Sequence, residues 1–407
     1  MRIRLRALAA LCAAALACGE ASEPEAPPAP VAEPAPPAPR RGLWVLAEGS
    51  QRVLEHPERI DALLRDAADL GASDLFVQVY RGGRAWFDSQ LADPAPHRRM
   101  REAGGEPLDR LVERAHAAGL RVHAWVNVLS LAENRQAPLL RDLPEAAAVD
   151  RFGRSILDYP DLEVPPPDRR LLRMGTPAVW LDPAAPGLAE RLAAIFAELF
   201  TRHPELDGLH LDYIRYPDVL PFTPGSRFGV GLDFGYGEAT RARFEAETGL
   251  EAPFGPSLAH AERWDEWRRD RLSALVRSIR EGALAVAPHV ELSAAVVTFA
   301  DRAYLSLAQD WRRWLEEGLL EFAVSMAYTR DDRLLRYQAA HFAGLYGERV
   351  WVGLGTWLFA KRPERALAQI EIAREAGVRN DALFSWDSIA EAPALREALA
   401  RGAVDGG

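Results

Sequence analysis

Cysteine is almost absent: only Cys12 and Cys18 occur, both in the first eighteen of 407 residues. The chain beyond them has no disulfide and no thiolate metal site, so its fold must rest on core packing. Long apolar runs are scarce as well. The run at 7–17 (ALAALCAAALA) has 11 residues, too few to span a bilayer as a helix, and it follows Arg2, Arg4 and Arg6. Basic excess is missing too. The formal net charge is −10, and subtracting those three arginines gives −13. Such an acidic surface is a poor electrostatic match for nucleic acid and sets that partner class aside. No HExxH, GxSxG or GxGxxG pattern appears, so no metal and no cofactor is expected.

A charged start followed by a short apolar run describes a signal peptide over 1–17. It ends Ala15-Leu16-Ala17-Cys18-Gly19, which resembles the lipobox where signal peptidase II cuts and the cysteine is diacylated. Ala15 stands where that pattern has Leu, and cleavage without a lipid is the alternative. The expectation is an exported monomer held through lipidated Cys18 on the periplasmic face of the envelope or the cell surface. Residues 18–40 form a tether: 21–40 contain eight prolines and six alanines. Polyproline conformation at about 3.1 Å per residue gives roughly 60 Å of reach.

From 41 to 402, β-rich runs alternate with amphipathic helices. Strands are predicted at 43–47, 74–80, 121–128, 208–214, 290–297, 322–328, 350–356 and 382–386. Near-continuous apolar runs such as LFVQV and WVGLG suit parallel strands covered on both faces. Helical patterns lie between, one face marked by Ile60, Leu63, Leu64, Ala67 and Leu70 and ended by Gly71. Eight such units predict an α/β fold, a (β/α)8 TIM barrel, with long loops after strands 3 and 4. An open doubly wound sheet is the rival, but it lacks its phosphate loop here.

Active sites of this fold lie at the strand C-termini. Asp212, set among apolar neighbours near the end of strand 4, is the first catalytic candidate, because an acid there costs desolvation unless something uses it. An ion pair with Arg215 or Arg81 is the structural alternative. Alternation puts His123, Trp125 and Asn127 on one face of strand 3, and Gln78 and Tyr80 on one face of strand 2, with Arg81 just beyond. Together with His210, Arg215, Tyr328, Trp357 and Trp386 they are candidates for binding sugar hydroxyls and stacking on sugar rings; packing is the plainer role for each aromatic. Paired-carboxylate glycoside hydrolysis needs a second acid. Asp387 and Asp301 rank first, ahead of Glu48, Asp331 and Asp332.

Five segments resemble the glycosyl-hydrolase-like-ten family of bacterial (β/α)8 proteins. They are Arg41-Gly42-Leu43-Trp44; Phe76–Tyr80 with Ala85–Ser89; Pro107-Leu108 through His116 into His123-Ala124-Trp125; Trp180–Pro183; and 207–217. The family's HFDDYFYP reads His210-Leu211-Asp212-Tyr213-Ile214-Arg215-Tyr216-Pro217 here, with Tyr213 in place of the second carboxylate. DYIRYP is closer to a sister group carrying FDYIRFP. Asn127-Val128 replaces the family's Asn-Pro. The resemblance implies a glycosidase acting on a polysaccharide or cell-wall glycan, with peptidoglycan strands lacking stem peptides as one branch's substrate. A carbohydrate-binding lipoprotein that has lost catalysis is the second reading.

Overall fold

The computed structural model describes residues 38–102, 105–221, 232–253 and 257–404. Cys12, Cys18, the leader and nearly all of the tether lie outside the described residues. Among the described residues, no helix is long and apolar enough to cross a membrane.

Eight parallel strands close into a barrel. They are β1 (Arg41–Val45), β2 (Asp74–Arg81), β3 (Arg121–Asn127), β4 (Gly208–Asp212), β5 (Glu291–Val296), β6 (Phe322–Met326), β7 (Val350–Gly355) and β8 (Asp381–Phe384). Each pairs with its sequence neighbour, and β1 pairs with both β2 and β8, which completes the ring. The returning helices are α1 (Ile60–Asp69), α2 (Pro107–Ala117), α3 (Leu188–Arg202), α4 (Leu258–Val286), α5 (Trp311–Glu316), α6 (Asp332–Tyr346), α7 (Pro363–Glu375) and α8 (Pro393–Val404). Pro at the first turn starts α2, α7 and α8, where a missing N–H costs nothing. The predicted (β/α)8 architecture is the one observed.

Several predicted strands stop early, and the stops matter. β4 ends at Asp212 because Tyr213 adopts φ +53°, a left-handed conformation that breaks the ladder. β8 ends at Phe384 because Ser385 forms a capping box with Ser388 and starts a short helix, Trp386–Ala390. Trp386 and Asp387 therefore sit on a helix and not at a strand end.

The barrel interior is aromatic: Trp44, Phe76, Trp125, Phe322 and Trp351 pack with Ala295, Val324 and Ala382. Small residues make the room. A Cβ on Gly42 would run into the Phe76 ring, and one on Gly353 would lie 3.0 Å from the Trp44 ring. At the N-terminal end, buried Asp74 closes the barrel by accepting from Arg40, Ser73 and His123, with Arg121 alongside. The connection from β3 to α3 carries a short strand, Leu172–Met174, paired antiparallel with Val219–Pro221 of the connection after β4. These two connections build up the opposite, C-terminal end.

Candidate active site

A cavity of about 700 Å³ opens at that C-terminal end. Asp212 lines it and is 7% exposed. Its carboxylate is held by two hydrogen-bond donors and faces one guanidinium. Trp125 Nε1 donates to Oδ2 at 3.1 Å, the Tyr213 N–H donates to Oδ1 at 2.6 Å, and Arg215 Nη1 lies 3.8 Å from Oδ1. The Asp212 side chain thus folds back on the peptide that follows it, at the point where the left-handed Tyr213 turns the chain out of the strand. Burial pushes the Asp212 carboxyl up, while Arg215 and the two N–H donors pull it down; the net direction is up. The Arg215 guanidinium lies over the Tyr213 ring at 4.7 Å and 5.7 Å from the Trp180 ring.

Of the binding candidates singled out from sequence, Gln78, Arg81, Trp125, Asn127, Arg215 and Tyr328 line the same cavity. Gln78 donates from Nε2 to Asn127 Oδ1 at 3.1 Å and accepts from the Ala47 N–H, tying β1, β2 and β3 together under the mouth. The other candidates lie elsewhere. Tyr80 faces outward against Phe196 of α3, because a β-bulge between Gln78 and Tyr80 breaks the alternation on β2 and returns Arg81 to the inner face. His123 lies at the closed end, bonded to Asp74 at 2.9 Å. His210 fills the middle of the barrel, stacked on Phe76. It accepts from Trp44 Nε1 at Nε2 and donates from Nδ1 to Ser293 Oγ, so neither nitrogen is free for a metal. Burial keeps that imidazole neutral.

Trp386 is buried and donates to Asp66 on α1. Trp357 is 48% exposed outside the cavity lining, beside Tyr328 across Gly355. Asp301 is exposed at the start of the helix Ala300–Leu307 and accepts the N–H of its neighbour Arg302. Asp387 is buried and absent from the lining; it accepts from the N–H groups of Leu46 and Gln51.

Two lining residues were undervalued from sequence. Trp44 and Glu48 continue the parity of Gly42 on β1 and past its end, and that parity was the available signal. Glu48 pairs with Arg84 at 3.0 Å and Arg81 at 3.4 Å. Asp93 and Glu133 are further lining acids. Among the described residues, Asp74, His123 and Glu291 form a group with metal-like ligand spacing. The guanidinium groups of Arg40 and Arg121 bridge its two carboxylates and supply the positive charge a cation would bring.

A family model described as Glycosyl hydrolase-like 10 matches residues 39–342, which hold β1 to β6, Glu48 and Asp212. The chain belongs to the glycosyl hydrolase-like 10 family. Glycosyl hydrolase DigH of Escherichia coli strain K12 is 24% identical over 288 residues, covering 67% of this chain and 57% of that protein. Glycosyl hydrolase YngK of Bacillus subtilis strain 168 is 22% identical over 299 residues, covering 68% of this chain and 50% of that protein. The chain thus spans little more than half the length of these curated relatives. Among solved structures, the catalytic domain of β-amylase from Paenibacillus polymyxa aligns with TM-score 0.53 at 14% identity, over 86% of this chain and 93% of that one. A mutant of Gan42B, a GH42 β-galactosidase from G. stearothermophilus, aligns with TM-score 0.57 at 13% identity, over 90% and 57%. At such identities the likeness is one of fold.

Proposed function

We propose that this family member is a glycoside hydrolase acting on a polysaccharide or cell-wall glycan, peptidoglycan strands included, by paired-carboxylate acid/base chemistry centred on Asp212. One observation carries the reading: a buried acid at the end of a barrel strand faces an open cavity that three other carboxylates also line. Trp44, Trp125 and Tyr328 give the cavity an aromatic lining, and Gln78, Asn127 and Arg215 supply polar groups of the kind that bind sugar hydroxyls. The names of DigH and YngK support the same reaction class. The test is digestion of purified sacculi and a panel of plant and bacterial polysaccharides by the purified protein, with product analysis. New reducing ends are expected from at least one glycan. Glycan binding without release of any product would replace this reading with that of a carbohydrate-binding protein on the same scaffold.

We further propose that the chain is exported and anchored through diacylated Cys18, with the Pro/Ala tether carrying a monomeric barrel clear of the membrane surface. Radiolabelled palmitate fed to cells expressing the full chain is expected to label it, and Cys18→Ser is expected to abolish the label and release the protein from the membrane fraction. Membrane retention of the Cys18→Ser variant would rule out this anchor.

A further inference from the structure

The proposed reaction needs a second carboxylate, and the cavity offers Glu48, Asp93 and Glu133. Asp93 is committed to its own turn: it accepts the Ala95 N–H at the start of the helix Ala95–Glu102, while its backbone pairs with Gly83 and Ala85. Glu133 is exposed on the loop after Ala132. Glu48 differs from both. Each of its carboxylate oxygens meets a guanidinium, Oε1 with Arg84 and Oε2 with Arg81, yet a quarter of its side chain stays accessible. A carboxylate that is oriented at both oxygens and still reachable has what a reacting group needs.

The segment carrying Glu48 is fixed from behind. Asp387 accepts the Leu46 N–H at 3.2 Å and the Gln51 N–H at 2.9 Å, so it spans both ends of the loop. Gly49 passes so close to the same carboxylate that a Cβ there would collide with Oδ1. Asp387 is thus a buried acid outside the cavity whose contacts set where residues 46–51 lie. Glu48 follows β1 and Asp212 ends β4, with β2 and β3 between them, which places the two acids across the mouth of the barrel.

We infer that Glu48 is the catalytic partner of Asp212 and that Asp387 is the positioning residue for the Glu48 loop. The inference rests on the glycosidase reading above and assigns its second carboxylate. Between them the pair passes one proton each way. One carboxyl delivers a proton to the glycosidic oxygen as the C1–O bond breaks, and the other takes a proton from the water that adds to C1. One water is consumed, and two hydroxyl ends are formed.

The experiment measures kcat and KM on the glycan that wild type digests best in the panel, for Glu48→Gln, Glu48→Ala, Asp387→Asn and Asp212→Asn. Glu48→Gln is expected to lose about 10²–10⁴-fold in kcat with KM little changed. Glu48→Ala is expected to regain activity in added sodium azide or formate, which only a folded protein lacking a reacting carboxylate does. Asp387→Asn is expected to lower kcat about tenfold and to move a limb of the pH–rate profile, which a purely structural role would not. Full activity of Glu48→Gln beside an inactive Asp212→Asn overturns the assignment of Glu48 and leaves the glycosidase reading standing. An active Asp212→Asn, or a wild type that digests nothing, overturns the reading itself. If Glu48→Gln fails to fold, Glu48→Asp, which keeps the charge facing both arginines, replaces it; unchanged kcat in that shorter variant would equally overturn the assignment.

Discussion

Asp212→Asn is expected to remove glycan hydrolysis, by about 10³-fold or more, while leaving the stability at neutral pH close to that of wild type. The first half follows from the position of Asp212 at the mouth of the barrel. The second follows from its energetics. Burial raises its carboxyl above the unfolded value, and Arg215, the Tyr213 N–H and the Trp125 N–H offset this only in part. A group with a raised folded pKa favours the folded state when protonated. Its contribution is fully present below the unfolded value of about 4 and is lost as pH rises through the folded value. At pH 7 wild type has therefore lost stability that it holds when its carboxyl is neutral, whereas Asn does not titrate; against this, Asn can accept only one of the two N–H bonds that Asp212 accepts. Thermal unfolding of both proteins from pH 3 to 8 checks this, with the Asn form gaining on wild type as pH rises. Activity equal to wild type would remove Asp212 from the mechanism. A large loss of stability at pH 7 would mean that its ion pair with Arg215 is structural after all.

What the sequence could and could not disclose follows the same physics. Strand–helix alternation and buried parallel runs made the barrel legible, because both are periodic in residue type. The inward, strand-end position of Asp212 was legible because an acid among apolar residues is costly. Parity arguments held along β3 as far as Trp125 and Asn127 but assigned His123 to the mouth, although the same inward face also lines the closed end, where His123 meets Asp74. Parity failed on β2, where one extra residue at the bulge turned Tyr80 outward and carried Arg81 inward. No composition signal marks a bulge in the run FVQVY. Asp387 and Trp386 were misplaced because Ser385-Trp386-Asp387-Ser388 reads as the end of a strand, while Ser385 and Ser388 in fact cap a helix. Glu48 was undervalued because it lies beyond the last residue of β1, and its value appears only when Arg81, Arg84 and Asp387 are brought to it from distant parts of the chain.

Asp74→Ala is expected to cost about 3–5 kcal/mol of folding free energy, the range found when one partner of a buried ion pair is removed. Asp74 is fully buried at the closed end of the barrel, where Arg40, Arg121, His123 and Ser73 converge on it. Burial alone would raise its carboxyl; hydrogen bonds from His123 and Arg40, and their charges, overcome that and hold it well below the usual carboxylate range. Its sign is therefore opposite to that of Asp212. A depressed folded pKa contributes stability that is present above the unfolded value of about 4 and lost as pH falls towards the folded one. Without Asp74, Glu291 alone faces the Arg40 and Arg121 charges, and Arg40, stacked over Phe322 and Trp351, loses its buried partner. Urea denaturation at pH 7 should show a lower midpoint with an unchanged slope, and the gap to wild type should narrow below about pH 4. Dialysis against EDTA should leave the wild-type midpoint where it was, because the guanidinium groups already neutralise the carboxylates that a cation would need. A loss under about 1 kcal/mol would mean that the Asp74 network contributes no net stability. The two acids thus separate the ends of the barrel: Asp74 holds the closed end together through compensated charge, and Asp212 gives the open end an acid whose ionisation its surroundings oppose.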